Sequence, residues 1–284
     1  MIGFYLNPLL ITDAVHTALL EDLGRAGDIT TLATIGEDVV AQGVIASRVT
    51  GVISGIGLAQ EAFRQLDPSF ECIPLVRDGG HIVEGDVIMR LKGRARTLLS
   101  GERVALNFMG YLSGIATQTQ AFVKAVEHTN ASIVDTRKTV PMMRAFAKYA
   151  VKCGGGMNHR FGLDDAVLIK DNHIAVAGGI IPALQAAKRN VGHLVKIEIE
   201  VDTLNQLDEV LTEGADVVLL DNMSPEMLRV AVKRVNKQML TEASGGVSLK
   251  TVAAIAETGV DLISIGALTH SVRVLDLGLD ITIL

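Results

Sequence analysis

The stretch ADVVLLDNMSPEMLRVAVKRVNKQMLTEASGG, residues 215–246, decides the fold. It opens on a short apolar run, crosses SPEMLRVAVKRV, whose apolar residues recur at helical spacing, and returns to a second run, MLTEA. Strand, helix and strand in succession imply parallel pairing of the two strands.

The same rhythm extends outward from residue 132. Six short apolar runs follow one another: SIVD, AVLI, VKIEIEV, ADVVLL, MLTEA and DLISIG. Counted from Ile133, Val167, Lys196, Val217, Met239 and Leu262, the steps are 34, 29, 21, 22 and 23 residues. Between the last two runs, SLKTVAAIAETG places Val252, Ile255 and Ala256 at helical spacing, with Gly259 as a stop. Units of this size suit a compact β/α barrel or a doubly wound sheet. The run ends favour the barrel. They carry Asp135, Arg137 and Lys138, then Lys170, Asp171, Asn172 and His173, then Glu198 and Glu200, then Asp221 and Asn222, then EASGG and IGALTH. Polar chemistry at every strand exit is what the mouth of a barrel needs. A doubly wound sheet concentrates it at one crevice.

The N-terminal part reads differently. Residues 1–36 are expected to be helical, with Val15, Leu19 and Leu20 on the apolar face. Residues 37–97, rich in β-branched residues and punctuated by Gly, are expected to be short strands and turns. A helix follows, with Ser100 as N-cap, Glu102 in its first turn, and Val104, Leu106, Phe108 and Leu112 as apolar positions. Gly114 is expected to interrupt it.

The bulk composition removes several function classes. With 284 residues and 49% hydrophobic side chains, the chain can bury a large core in one domain or two. A net charge of −6 and a pI near 5.7 argue against a general nucleic-acid or membrane-surface binder. Aromatics are 4% and Trp is absent, so base-stacking platforms are not expected. No apolar run is long enough for a membrane span, and MIGFYLNPLLITD lacks a basic leader region. Cys72 and Cys153 have no metal-type spacing, which points to a reducing cytoplasmic setting.

The charge order along the exits outlines a ligand. Residues 136–163 hold six Lys or Arg and no acid, the third and fourth exits are acidic, and the last two are small and Gly-rich. Cations in a low-dielectric pocket attract anions strongly. Gly-rich turns cradle phosphate. Paired carboxylates hold Mg²⁺ or stabilise a cationic carbon. Blander readings stand beside these. Arg137 and Lys138 could be solvated loop charges, and the GGG at 154–156 could simply stop a helix. Arg144, Lys148 and Lys152, four residues apart, read best as one solvated helix stripe. His159 beside Arg160 is more pointed, since adjacent cations repel unless an anion compensates.

Together, TRKTVPMMRAFAKYAVKCGGGMNHRFGLDDAVLIKDNHI resembles the signature region of the quinolinate phosphoribosyltransferases. The resemblance continues through ALLEDLGRAGDITT, GERVALNFMGYLSGIAT, EIEV, VVLLDN, EASGG and IGALTHS, nearly the whole chain. One departure is visible. Met142 follows Pro141 where the family usually has Gly, at a position expected to start a helix and to need a local backbone adjustment.

The resemblance implies an α/β fold: an incomplete α/β barrel over residues 113–270 and an N-terminal α/β sandwich over 1–112, joined by 271–284. It implies transfer of the phosphoribosyl group of phosphoribosyl pyrophosphate to quinolinate with loss of CO₂, Mg²⁺ as cofactor, and a homodimer, or a larger assembly of dimers, with a shared site. Position by position, Arg103 resembles an arginine delivered across the dimer interface. Arg137, His159 and Arg160 resemble the other carboxylate binders. Lys138 and Lys170 resemble the lysines between quinolinate and the phosphoribosyl group. Glu200 and Asp221 resemble the acids near the ribose and the metal-bound pyrophosphate. Ser244, Gly245, Gly246, Gly266 and His270 resemble the 5′-phosphate cradle. Three rivals remain: a Schiff-base aldolase using Lys170, a related transferase with another ring acceptor, and a non-enzymatic carrier suggested by VEGDVIMRLKG. The last lacks a Lys at a hairpin tip.

Overall fold

The computed structural model describes residues 6–283. The parts of the helical expectation for 1–36 and of the C-terminal segment that fall on residues 1–5 and 284 lie outside the described residues. The chain forms two compact units. One comprises the residues through Gln120, Ala145–Gly155 and the segment from Ser271 on; the other comprises Ala121–Arg144 and Gly156–His270.

The first unit begins with α1 (Pro8–Leu23) and α2 (Ile29–Thr34). Asn7 starts α1 by accepting the Leu9 amide, with Pro8 pre-set at the first helical position. Then come β1 (Val40–Ser47), β2 (Gly51–Val52), α3 (Ile56–Leu66), β3 (Glu71–Pro74), β4 (His81–Ile82), β5 (Val87–Arg94), α4 (Ala95–Val126) and α5 (Arg144–Cys153). The C-terminal strand, Leu277–Ile283, pairs antiparallel with β1, giving a sheet ordered C-terminal strand, β1, β5, β3.

Three local expectations fail here. Residues 56–66 form a helix, not strands and turns: Ile56, Leu58, Ala59, Ala62 and Phe63 repeat at helical spacing and are buried. Ser100 lies inside α4 rather than at its start, and its hydroxyl donates to Asp28 Oδ2 at 3.1 Å. Gly114 does not interrupt the 32-residue helix. A Cβ there would come 2.3 Å from the Arg273 carbonyl oxygen, so this glycine lets the C-terminal segment pass against α4. The solvated stripe on α5 also fails, because Lys148 is only 3% exposed.

The second unit contains all six runs as strands: β6 (Ser132–Val134), β7 (Val167–Ile169), β8 (Ile197–Val201), β9 (Val217–Asp221), β10 (Leu240–Ser244) and β11 (Leu262–Ser264). They form one parallel sheet ordered β6-β11-β10-β9-β8-β7. The first and second strands in sequence are thus the two edges, and the barrel is incomplete between them. Helices α6 (Asp171–Ala177), α7 (Ile180–Asn190), α8 (Leu204–Glu213), α9 (Pro225–Val235), α10 (Val252–Ala256) and α11 (Ala267–His270) connect the strands. Local signals set their ends. Thr203 and Gln206 form a capping box on α8, and Ser224 caps α9 ahead of Pro225.

Candidate active site

Alternation along the strands builds the site. Side chains two residues apart share a face. Glu200 on β8, Leu219 and Asp221 on β9, Glu242 and Ser244 on β10, and Ser264 on β11 line one cavity of about 420 Å³. Thr136, Arg137 and Lys138 after β6, His159 and Arg160, and Leu168 and Lys170 at β7 complete its wall. Glu198 lies two residues before Glu200, with its side chain 9% exposed.

Charge is divided across this cavity. Lys170 Nζ pairs with Glu200 Oε2. Asp221 Oδ2 accepts from the Asn222 amide at 2.5 Å. The Thr269 hydroxyl donates to the Lys138 carbonyl at 2.8 Å, pinning the loop that carries Arg137 and Lys138. Arg137 Nε and Arg160 Nε are both buried without a hydrogen-bond partner. Burial and then the Arg137 charge pull the Arg160 pKa down. Two desolvated guanidiniums that oppose each other, with donors left over, match an anion with several oxygens.

Buried carboxylates brace the cationic wall. Asp135, fully buried, accepts the His159 backbone N–H at 2.9 Å and the Asn158 side-chain amide at 2.6 Å. His159 Nε2 lies 2.9 Å from Glu198 Oε2 and 3.6 Å from Glu242 Oε1. Arg160 Nη1 donates to the Ala166 carbonyl at 3.0 Å. Arg144 ties Thr139 to the Phe161 carbonyl, so this first member of the expected stripe is a brace. Burial, then the nearby Glu198 charge, pushes the Glu242 carboxyl up to about 7.

A second cavity, about 360 Å³, shares Thr136, Lys138, Asp221, Ser244 and Ser264 with the first. Gly245, Gly246, Gly266 and His270 belong to its wall. Gly245 has φ +95°, and a Cβ there would meet Asn222 Oδ1 at 2.0 Å, so the turn requires glycine twice over.

The structure therefore brings together Arg137, Lys138, His159, Arg160, Lys170, Glu200, Asp221 and Ser244 around one cavity, and Gly245, Gly246, Gly266 and His270 around its neighbour. Arg103 lines neither. It sits on α4 with its side chain 65% exposed, 4.0 Å from Glu102. Glu242, Ser264 and Thr136 were missed as site residues. For Glu242 the signal was present, since MLTEA puts a carboxylate in a buried parallel strand, two residues before Ser244. A larger cavity, about 880 Å³, runs along the edge strand β7 and is mostly apolar, with Leu163, Val176, Val191 and Val195 in its wall. It shares only Arg160 and Leu168 with the charged cavity, where the titratable groups converge.

Comparison with known proteins gives a consistent set of matches. The quinolinate phosphoribosyl transferase N-terminal domain matches residues 28–113, and the C-terminal domain of the same family matches residues 115–280. A probable nicotinate-nucleotide pyrophosphorylase (carboxylating) from Bacillus subtilis is 43% identical over 278 residues, covering 98% of this chain and 96% of the relative. The Mycobacterium leprae nicotinate-nucleotide pyrophosphorylase (carboxylating) is 44% identical, covering 95% and 96%. Among solved structures, the nicotinate-nucleotide pyrophosphorylase of Francisella tularensis superposes with a TM-score of 0.94 at 38% identity over 98% of each chain.

Proposed function

The chain belongs to the quinolinate phosphoribosyltransferase family, and from that premise we propose how its own residues divide the work. The reaction joins quinolinate to the phosphoribosyl group of phosphoribosyl pyrophosphate and releases pyrophosphate and CO₂, giving nicotinate mononucleotide for NAD biosynthesis. The observation that carries the assignment of the site is the pair of buried, unpartnered guanidinium nitrogens of Arg137 and Arg160, in a cavity whose other wall is acidic.

Arg137 and Arg160 grip the two ring carboxylates and hold the pyridine nitrogen in line with the ribosyl carbon. Lys138 and Lys170 stand between the diacid and the phosphoribosyl group. Glu200 and Asp221 face the ribosyl carbon, which becomes cationic as pyrophosphate leaves, and stabilise that charge. Ser244, the Gly245–Gly246 turn, Gly266 and His270 take the 5′-phosphate, the backbone N–H groups of the turn supplying donors without side-chain bulk. Once the ring nitrogen is alkylated, the cationic ring stabilises the electron pair left on its carbon as the adjacent carboxylate departs as CO₂, and a proton from solvent then takes the carboxylate's place.

Glu200 and Asp221 offer hard oxygen donors in one cavity, which fits Mg²⁺. Glu200 and Asp221 would hold the ion, which would supply positive charge against the departing pyrophosphate. Arg103, exposed and outside both cavities, is assigned to the site of a second copy in a homodimer. Cys72 and Cys153 are unpaired, which suits a cytoplasmic protein, and among the described residues no helix is long and apolar enough to cross a membrane. The test is an assay of the purified protein with quinolinate, phosphoribosyl pyrophosphate and Mg²⁺, following CO₂. CO₂ release that requires all three is expected, and no nicotinate mononucleotide is expected to form when nicotinate replaces quinolinate. A protein that leaves quinolinate unconsumed overturns the reading.

A further inference from the structure

Strand β9 ends on Asp221, and the chain turns at once: Asn222 holds φ +53°. Asparagine tolerates this left-handed shape better than most side chains, because its short amide can bond locally. The local bond here goes to a functional group. Asn222 Nδ2 donates to Asp221 Oδ2 at 2.5 Å. Among the described residues this amide is the one protein partner of the Asp221 carboxylate. A carboxylate only accepts, so the amide nitrogen has to face it, and the amide oxygen is turned the other way. That oxygen lies over Gly245, 2.0 Å from where a Cβ would stand. The Asn222 backbone N–H donates to the Ser244 carbonyl at 2.9 Å, the residue before Gly245.

One residue thus touches both the acid at the end of β9 and the turn after β10, and all of these line the second cavity. A phosphoribosyl group makes use of such a link. Its reacting carbon and its 5′-phosphate sit on one short covalent frame. The carboxylate that faces the carbon and the turn that takes the phosphate therefore need a fixed separation. They lie on neighbouring strands, paired at Asp221 and Ser244. The ladder holds the two backbones but not the Asp221 side chain, which is half-buried at the strand end. The Asn222 amide supplies that restraint at Oδ2 and leaves Oδ1 to a ligand.

We propose that Asn222 is a positioning residue for the transfer step: its amide nitrogen sets the Asp221 carboxylate against the ribosyl carbon, and its amide oxygen keys that setting to the Gly245 turn. The assignment rests on the reading of these cavities as the phosphoribosyl pyrophosphate site. A residue that only shaped the turn would need nothing but the left-handed φ, which glycine supplies as well. Removing the amide while keeping the φ separates the two roles.

Asn222→Gly in the full-length enzyme makes that separation. Denaturant unfolding is expected to show wild-type stability or better, while kcat falls about tenfold and KM for quinolinate stays unchanged. Ribose 5-phosphate, titrated calorimetrically into metal-free protein, is expected to bind the variant several-fold more weakly. Adding Asn222→Gly to Asp221→Ala is expected to cost nothing further in kcat, since the amide acts through that carboxylate. Losses that multiply mean that Asn222 acts on the substrate in its own right, and they overturn the proposal. A glycine variant with wild-type kcat reduces Asn222 to a turn residue and overturns it too, and an unchanged affinity for ribose 5-phosphate breaks the link to the Gly245 turn with the same result. Should Asn222→Gly fail to fold, Asn222→Asp decides. It keeps the size and the tolerance of a left-handed φ but sets a second anion against Asp221. The same fall in kcat at constant KM for quinolinate is expected, and wild-type turnover overturns the proposal. A wild-type protein that neither consumes quinolinate nor binds ribose 5-phosphate defeats the underlying reading instead.

Discussion

The two units bury polar groups in opposite ways. In the first, buried polar atoms close on one another. Asp78 accepts the Tyr149 hydroxyl at 2.7 Å and the Ile56 amide at 3.1 Å. Ser113 accepts the Ser54 amide at 2.9 Å and returns its hydroxyl to the Ser54 carbonyl, and the Ser54 hydroxyl reaches Cys153 Sγ. In the second unit, Arg137, Arg160, Glu198 and Glu242 each keep a buried atom without a partner, and among the described residues these are the unsatisfied buried side-chain atoms. An unmade buried hydrogen bond costs about 1–3 kcal/mol. A fold tolerates several at one place when a ligand completes them. Satisfied networks therefore mark structure, and orphaned ones mark the site.

The sharpest test of that contrast uses two variants that are each inactive. Lys138→Ala is expected to lower turnover by orders of magnitude with the fold intact, and Arg103→Ala to do the same if Arg103 serves a neighbouring copy. Unfolding, mixing and refolding the two together should then restore about a quarter of wild-type activity, since half the dimers are hybrids and each hybrid has one complete site. A mixture that stays inactive breaks the assignment of Arg103 across copies.

The next effect comes from the open cluster and depends on pH. Glu242 has its carboxyl pushed up from 4.5 to about 7, so between those values the folded chain holds a proton that the unfolded chain has lost. Its contribution to stability is fully present below about pH 4.5 and is lost as pH rises through about 7. Glu242→Gln removes the charge but keeps the shape. Denaturant unfolding is expected to show the variant more stable than wild type at pH 8, by up to about 3 kcal/mol, with the gap closing toward pH 5. Equal gaps at both pH values break the picture of a strained, charge-burdened cluster.

The closed network should respond in the reverse sense. Tyr149→Phe leaves Asp78, whose carboxyl is already pushed up by burial, without its hydroxyl donor. The expected cost is about 2 kcal/mol in denaturant unfolding, with kcat unchanged. A Tyr149 variant of normal stability but impaired turnover would erase the distinction between the two kinds of burial.

How much of this was legible beforehand follows the same division. Parallel strands announce themselves by apolar runs and helical spacers, and all six appeared where the runs lie, because each run has to be buried on both faces. The strand exits exposed Lys138, Lys170, Glu200 and Asp221 for the same reason. Glu242 carried a signal of its own, a carboxylate in a buried parallel strand, but its partner His159 lies 83 positions away and only folding brings the two together. Helix α3 was hidden because Gly57, the glycines just before it and the neighbouring strands dominate the local pattern. Nothing local told that Lys148 would be buried, since burial of a cation is settled by what packs over it.

The smallest expected effect concerns a backbone conformation shared by two turns of the second unit. Met142 holds φ +65° in the turn before α5, so the position neither starts the helix nor adjusts away from the shape a glycine would take. Its side chain is solvated, with the residue 93% exposed. A left-handed residue other than glycine costs ~1–2 kcal/mol, and glycine gives part of that back as unfolded-state entropy. Met142→Gly should thus raise stability by about 0.5–1 kcal/mol in denaturant unfolding with turnover unaltered. Gly245 shares the positive φ but has Asn222 Oδ1 where a Cβ would go. Adding a methyl there meets strain and collision together, at a turn that shapes the second cavity. Gly245→Ala should therefore impair phosphoribosyl pyrophosphate binding as well as stability, whereas Met142→Gly touches stability alone. If both substitutions moved only stability, the turn at Gly245 would be a structural corner like the one at Met142, and the second cavity would lose its claim to the phosphate.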